Sequence, residues 1–161
     1  LAMTDLRALL TNLGGEDVQT YMQSGNAVFG HSTTDPAQLA KAIEKGLAEL
    51  GVSSRVLLRT GEELAGVLAG NPFLAGEPDP VKLQVTFLAD SPAATRAQQL
   101  QVPTGETATL RLKDKEVYLH CPDGYGRTKL TNSFLESRLA TVATTRNWRT
   151  VTALGELTGA G

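Results

Sequence analysis

Several features that define common protein classes are scarce in this sequence. It contains one cysteine, so no internal disulfide can form, and this fits a reducing cytosol. Aromatic residues make up 5% of the chain, and the net charge of −2 argues against a protein that coats nucleic acid over its whole surface. No apolar run approaches the roughly 20 residues of a membrane span, and no signal-peptide pattern opens the chain. These absences predict a cytoplasmic protein without a membrane segment.

The remaining composition is that of an ordinary folded protein. Hydrophobic residues make up 41% of the 161 positions and charged residues 20%. A chain of this length buries roughly 70% of the surface that it exposes when extended. The composition therefore predicts one domain, or two small halves that share a core.

Periodic apolar positions predict the elements of the first half. Helices are expected at 4–13, 35–50 and 60–68, the last opened by a capping-box pattern of Thr60 and Glu63. Alternation and β-rich composition predict strands at 18–23, 27–29 and 54–59, with a tight turn at 24–26. The expected order of elements is α-β-β-α-β-α, which lacks only an opening strand to become the split βαβ arrangement.

The second half has a similar predicted order. Segment 71–80 carries three of the seven prolines and no periodicity, so it is expected to be a linker. Strands are predicted at 81–87, 106–112 and 116–120, and helices at 91–100, 134–139 and 147–157. We predict an α+β fold of two ferredoxin-like (βαββα-type) halves with antiparallel sheets, 1–70 and 81–161. The first strand of the first half is expected to be missing, and the halves are also compatible with one compact domain.

Four blocks of the sequence resemble a known family. They are DVQTYMQSGNAVF at 17–29, NPF at 71–73, YLHCPDGYGRTKL at 118–130 and ATTRNWRTV at 143–151. In this order they are similar to the bacterial family called domain of unknown function 1697. The resemblance implies a cytoplasmic α+β protein of two ferredoxin-like halves with no settled activity. It also implies an apolar strand and a Gly-rich turn before the first helix, which this sequence does not show.

Positive charge is concentrated near one end of the chain. Residues 127–149 hold five basic side chains and one acidic one, a local charge of +4 against −6 for the rest. Glycines beside hydroxyl and cationic groups provide hydrogen-bond donors for an anion, and a nearby tryptophan provides a stacking surface. The QSGN turn adds two amides that could orient a ligand. The predicted ligand-binding residues are Tyr125, Arg127, Lys129, Arg146, Trp148, Arg149, Gln23 and Asn26.

Structural roles for the same residues stay open at this stage. Arg127 and Lys129 are also suited to capping helices or pairing with Glu136, and Trp148 to a place in the core. The QSGN residues are equally those that a hairpin turn requires. The glycines at 124 and 126 match neither a P-loop nor a dinucleotide-binding motif, so the phosphate signal is weak.

Catalytic and metal-binding patterns are hard to find. His120 and Cys121 are neighbours on a predicted strand, so their side chains point to opposite faces, and Cys121 is expected to be a buried apolar residue. Two histidines and one cysteine provide no metal-ligand spacing, and no cofactor is predicted.

Three classes of function fit the sequence. The first is a binding module for a phosphorylated or otherwise anionic ligand such as a nucleotide, with short RNA as a weaker version because no RNA-recognition signature is present. The second is an enzyme acting on a small anionic metabolite, with Tyr125 or Tyr21 as acid. The third is an interaction protein whose sheet edges pair in a homodimer.

Overall fold

The first structural unit is a helical pair packed on a β-hairpin. The computed structural model describes residues 1–21 and 25–159. Helices α1 (Met3–Asn12) and α2 (Pro36–Glu49) flank the antiparallel strands β1 (Glu16–Tyr21) and β2 (Asn26–Gly30). Helix α2 begins as the sequence predicts, because the Asp35 side chain accepts a hydrogen bond from the backbone of Gln38 ahead of a proline at the first turn. Leucines of both helices form the core of this unit with Ile43.

The strand predicted at 54–59 does not form. The segment has no strand pairing, although Val56 and Leu58 pack against the core of the first unit. The backbone N–H of Val56 donates instead to Glu44 Oε2 at 2.7 Å. A carboxylate therefore takes the place of a neighbouring strand as hydrogen-bond partner, and the prediction of a strand here was wrong.

The second unit is built on a four-stranded antiparallel sheet. Its strands are β3 (Leu83–Leu88), β4 (Thr109–Lys113), β5 (Glu116–His120) and β6 (Ala143–Asn147), in the spatial order β4-β5-β3-β6. Helices α3 (Gly61–Ala69), α4 (Ala94–Gln99), α5 (Asn132–Leu139) and α6 (Trp148–Leu157) accompany it. Short 3₁₀ helices occupy Pro72–Gly76, Pro80–Lys82 and Tyr125–Arg127. With two antiparallel sheets and these helices, the fold is α+β, as the sequence predicts.

Both faces of the four-stranded sheet are covered. On one face, Val85, Phe87 and Tyr118 form a cluster with Leu64 of α3 and Val151 of α6, called here the α3/α6 core. On the other face a second cluster, called here the α5 core, contains Leu88, Val117, Leu119, Leu135 and Leu139. All six residues of β3 are consequently buried, including two polar ones, although their alternation in the sequence suggests one exposed face.

Strand β6 is missing from the sequence prediction, which placed no element between the last two helices. Four of its five residues, ATTRN, are polar, and within the described ranges the strand pairs with β3 alone. The Thr145 hydroxyl lies between the Thr86 hydroxyl at 2.6 Å and Asn132 Oδ1 at 2.5 Å, which joins the strand to β3 and to α5. An edge strand of this composition has no hydrophobic alternation to reveal it.

The two predicted halves share structure across their boundary. Helix α3 belongs to the predicted first half, but its Leu64 and Val67 pack in the α3/α6 core. Just before it, Arg59 donates to Glu116 at 2.9 Å and to the carbonyl of Leu88 at 2.7 Å. The division into 1–70, a 71–80 linker and 81–161 stays a prediction. Among residues 1–21 and 25–159, no helix is long and apolar enough to cross a membrane.

Candidate functional site

Two of the predicted site residues meet where the two units join. Asn26, the first residue of β2, is 8% exposed, and its Oδ1 accepts a hydrogen bond of 2.7 Å from Arg146 Nε on β6. The contact joins the 17–29 block, called here the QSGN block, to the 143–151 block, called here the RNW block, which are far apart in the sequence. We call Asn26, Arg146, Trp148 and Arg149 the β2–β6 junction.

The guanidinium of Arg146 is held by several groups. Its Nη1 donates to Thr144 Oγ1 and to the carbonyl of Thr145, both at 3.0 Å. Burial lowers the pKa of Arg146, but an arginine remains cationic at neutral pH. The junction therefore contains a positive charge whose orientation is set before any ligand arrives.

Helix α6 begins directly beside this arginine. Asn147 caps the helix through a hydrogen bond of 2.8 Å from the Thr150 backbone N–H to Asn147 Oδ1. The half-buried ring of Trp148 packs against the α3/α6 core, which agrees with the structural role left open for it by the sequence. Arg149, one position further along, is exposed. The junction thus presents an exposed cation close in sequence to a fixed one and to an aromatic ring.

Tyr125 lies apart from this group. It packs against the α5 core, whereas Trp148 packs against the α3/α6 core on the opposite face of the sheet. The single aromatic surface expected from Tyr125 and Trp148 together is therefore not present. In the described part of the chain the Tyr125 hydroxyl makes no hydrogen bond.

Arg127 and Lys129 are exposed and follow Tyr125 in a loop that Glu106 organises. The Glu106 carboxylate accepts from the backbone N–H groups of Ala108 at 3.0 Å and Lys129 at 2.5 Å. These hydrogen bonds lower the pKa of Glu106, the one to Ala108 most strongly. Among the described residues neither cationic side chain forms an ion pair with Glu136, and Glu136 Oε2 accepts a hydrogen bond of 2.9 Å from the Ala143 backbone N–H.

Two further polar residues of the predicted hairpin, Gln23 and Tyr21, differ in what the structure shows of them. Gln23 lies outside the described residues. Tyr21 is opposite Asn26 in the hairpin, and its carbonyl accepts from Asn26 Nδ2 at 3.4 Å. Thr144 was not predicted to contribute, since nothing in the sequence marks a threonine as the partner of an arginine two positions away on an unpredicted strand.

The thiol and the histidines do not form a catalytic pair. Cys121 is 1% exposed, and burial together with the charge of Glu106 raises its pKa to about 11. His31 is occupied on both ring nitrogens, at 2.7 Å from the Leu13 carbonyl and 2.9 Å from the Thr33 N–H. No group of three or more potential metal ligands occurs among the residues that the structure describes.

Comparison with known protein families identifies the family of this chain. A family described as "Protein of unknown function (DUF1697)" matches residues 1–118. The chain belongs to this family. The DUF1697 match confirms the predicted resemblance and includes Asn26, while the RNW block lies beyond it.

A solved structure of a bacterial protein has a similar fold. A conserved bacterial protein from Streptococcus pneumoniae has a TM-score of 0.75 and 22% sequence identity to this chain, and the alignment covers 99% of this chain and 89% of that one. At this identity the similarity establishes the fold alone. No curated protein matches the DUF1697 chain.

Proposed function

We propose that the protein is a binding module for a small phosphorylated or otherwise anionic ligand, and that the ligand binds at the β2–β6 junction. The observation that carries the proposal is the 2.7 Å hydrogen bond between Asn26 and Arg146, which fixes a half-buried guanidinium where two units of the fold meet. A cation that is held in place before binding loses little conformational entropy when an anion arrives.

The junction residues have distinct roles in this proposal. Arg146 supplies a fixed positive charge, and Asn26 sets its orientation. Arg149 is the exposed group that contacts the anion directly, with a fork of N–H donors suited to phosphate or carboxylate. Trp148 offers the exposed part of its ring to a planar group such as a nucleobase.

The strand arrangement supports the architecture from which this proposal starts. We infer that the second unit is ferredoxin-like, because its elements run β-α-β-β-α-β from β3 to β6 with the order β4-β5-β3-β6. In that arrangement β6 is an edge strand, and the exposed Arg149 at the start of the helix that follows it is accessible to a ligand. Arg127 and Lys129 belong to a separate loop, so this proposal does not include them among the ligand-binding residues.

A fluorescence titration tests the proposal, because Trp148 is the only tryptophan. The protein is titrated with inorganic phosphate and with a mononucleotide at low and moderate salt. We expect a saturable change that is weaker at moderate salt and is lost in Arg149→Ala. The exposed Arg7 on α1 provides a charge-matched control, and Arg7→Ala should bind as the unchanged protein does.

The same titration in Arg127→Ala distinguishes the two basic regions. If Arg127→Ala abolishes binding and Arg149→Ala does not, the ligand binds at the 125–129 loop and the junction is the wrong site. If neither ligand gives a saturable signal, the anion-binding proposal fails.

A further inference from the structure

The NPF block forms a turn that the β2–β6 junction does not involve. Asn71 is 6% exposed, and its Oδ1 accepts from the Phe73 backbone N–H at 3.0 Å, ahead of the 3₁₀ helix that Pro72 begins. The Asn71 Nδ2 is buried and has no hydrogen-bond acceptor within the described part of the chain. Buried donors without a partner are rare in native proteins, and an absent water or ligand atom often accounts for them.

The Phe73 ring brings two further side chains together at the β4–β5 side of the sheet. Its centroid lies 5.8 Å from that of the His120 ring, and the Arg111 guanidinium lies 5.8 Å from the Phe73 centroid. Arg111 is opposite Tyr118, and His120 is opposite Thr109, so both side chains are on the face of the α3/α6 core. We call Asn71, Phe73, Arg111 and His120 the Phe73 cluster.

The polar groups of the Phe73 cluster can act as donors. Arg111 Nη1 donates to the neighbouring Leu110 carbonyl at 2.8 Å, and within the described residues its Nη2 and Nε have no acceptor. The His120 ring nitrogens likewise have no partner in the described ranges. The acidic Glu116, four residues before His120 on the same face, is already bonded to Arg59 at 2.9 Å.

We propose that the Phe73 cluster binds a small carboxylate. The guanidinium carbon of Arg111 lies 5.8 Å from the Phe73 ring centroid, and the fork of N–H donors of an arginine matches the two coplanar oxygens of a carboxylate. The imidazole of His120 is the second donor beside the same ring. The unpartnered Asn71 amide lies in the turn that positions Phe73 and reports on this turn. The cluster lies on the β4–β5 side of the sheet and β6 forms the opposite edge, so this site is separate from the junction.

Nuclear magnetic resonance of the ¹⁵N-labelled protein tests this site. Sodium acetate is titrated against sodium chloride at constant ionic strength, and the Asn71 side-chain NH₂ and the His120 ring signals are followed. We expect saturable shifts with acetate, an affinity several-fold weaker in Arg111→Lys and no saturation in Arg111→Gln. Arg55→Gln, an exposed arginine that pairs with Glu44, is the matched control and should leave the shifts unchanged.

Several outcomes overturn the proposal. Shifts that acetate and chloride produce equally, or that persist in Arg111→Gln, show that no carboxylate site exists at the cluster. Inorganic phosphate binding more tightly than acetate rejects the carboxylate preference. Spectra of the variants establish whether they are folded. If Arg111→Gln does not fold, the weaker affinity expected for Arg111→Lys still tests the proposal. Arg149→Ala tests the junction and Arg111→Gln tests the Phe73 cluster, so failure at one site is distinguishable from failure at the other.

Discussion

Arg146 Nε lies 2.7 Å from Asn26 Oδ1, a hydrogen bond between residues 120 positions apart in the chain. It ties the first residue of β2 to the edge strand β6. Because both groups are substantially buried, each depends on the other for part of its hydrogen bonding.

The Asn26–Arg146 contact should contribute measurably to stability. Asn26→Ala removes an acceptor from a charged donor, so we expect the free energy of unfolding to fall by about 2 kcal/mol. In a double-mutant cycle with Arg146→Met, urea denaturation should give a coupling energy of about 1 kcal/mol or more. Asn12→Ala, at the exposed end of α1, serves as the control and should change stability by less than about 0.5 kcal/mol. Additive effects of the two substitutions would contradict the contact.

The ion pair of Arg59 and Glu116 should be sensitive to loss of one partner. Their side chains are 9% and 14% exposed, so Arg59→Met leaves a largely buried carboxylate and should cost about 3–5 kcal/mol. The double variant Arg59→Met/Glu116→Leu should be more stable than the single one, as measured by urea denaturation. Arg55, whose side chain is 65% exposed beside Glu44, is the matched control, and Arg55→Met should cost less than about 1 kcal/mol. Equal losses at the two arginines would argue against a special role for Arg59.

Glu106 should make the 106–130 region sensitive to acid. Its lowered pKa means that the ionised form is favoured in the folded protein, so its contribution is present at neutral pH and is lost as the pH falls below the ordinary value of 4.5. In Glu106→Gln one carboxylate oxygen becomes a donor, and amide hydrogen exchange at Ala108 or Lys129 should accelerate at neutral pH. The stability difference between Glu106→Gln and the unchanged protein should shrink in acid. Glu49→Gln, at the exposed end of α2, should show neither effect.

The raised pKa of Tyr118 should make the free energy of unfolding fall at alkaline pH. Its hydroxyl donates to the Val67 carbonyl at 3.0 Å, and burial, aided by the charge of Glu116, raises its pKa to about 12 from 10.0. The unfolded chain therefore loses this proton first, and stability should decline as the pH rises from 10 towards 12. Tyr118→Phe should cost about 1 kcal/mol at neutral pH and reduce the alkaline decline, measured by urea denaturation. Tyr125→Phe is the control, and an equal cost there would disprove the assignment.

Cys121 should be inert in the folded protein. Because only the thiolate reacts with a disulfide reagent, a buried thiol with a pKa of about 11 should be labelled slowly at neutral pH. In denaturant, labelling should be rapid and stoichiometric, with Cys121→Ser as the unlabelled control. Rapid labelling of the native protein would reopen the possibility of thiol chemistry.

The elements that the sequence predicts well are those with local signals. Asp35 with Pro36, and Thr60 with Glu63, open α2 and α3, and the capping hydrogen bonds of both pairs are present. Strand β5 has the predicted bounds, 116–120. These elements depend on residues a few positions apart, so the pattern of neighbouring residues is sufficient to find them.

The errors fall where distant partners decide the outcome. The 54–59 segment has strand-like residues, but Glu44 takes the backbone donor of Val56, and no strand pairs with it. Strand β6 has polar residues, but β3 offers it a free edge. For the site, the sequence named Asn26 and Arg146 separately, and only the structure shows that they are bonded while Tyr125 faces the other core.

Short-range patterns are therefore sufficient to predict the α+β class, the starts of α2 and α3, the buried cysteine and the family. These follow from composition, from capping residues and from motifs, each of which acts within a short stretch of chain. Tertiary packing determines that β6 pairs with β3, that Arg146 meets Asn26 and that Tyr125 packs on the other face of the sheet. Those outcomes depend on contacts between residues far apart in the chain, and no local pattern encodes the partner that a backbone amide or a guanidinium finally meets.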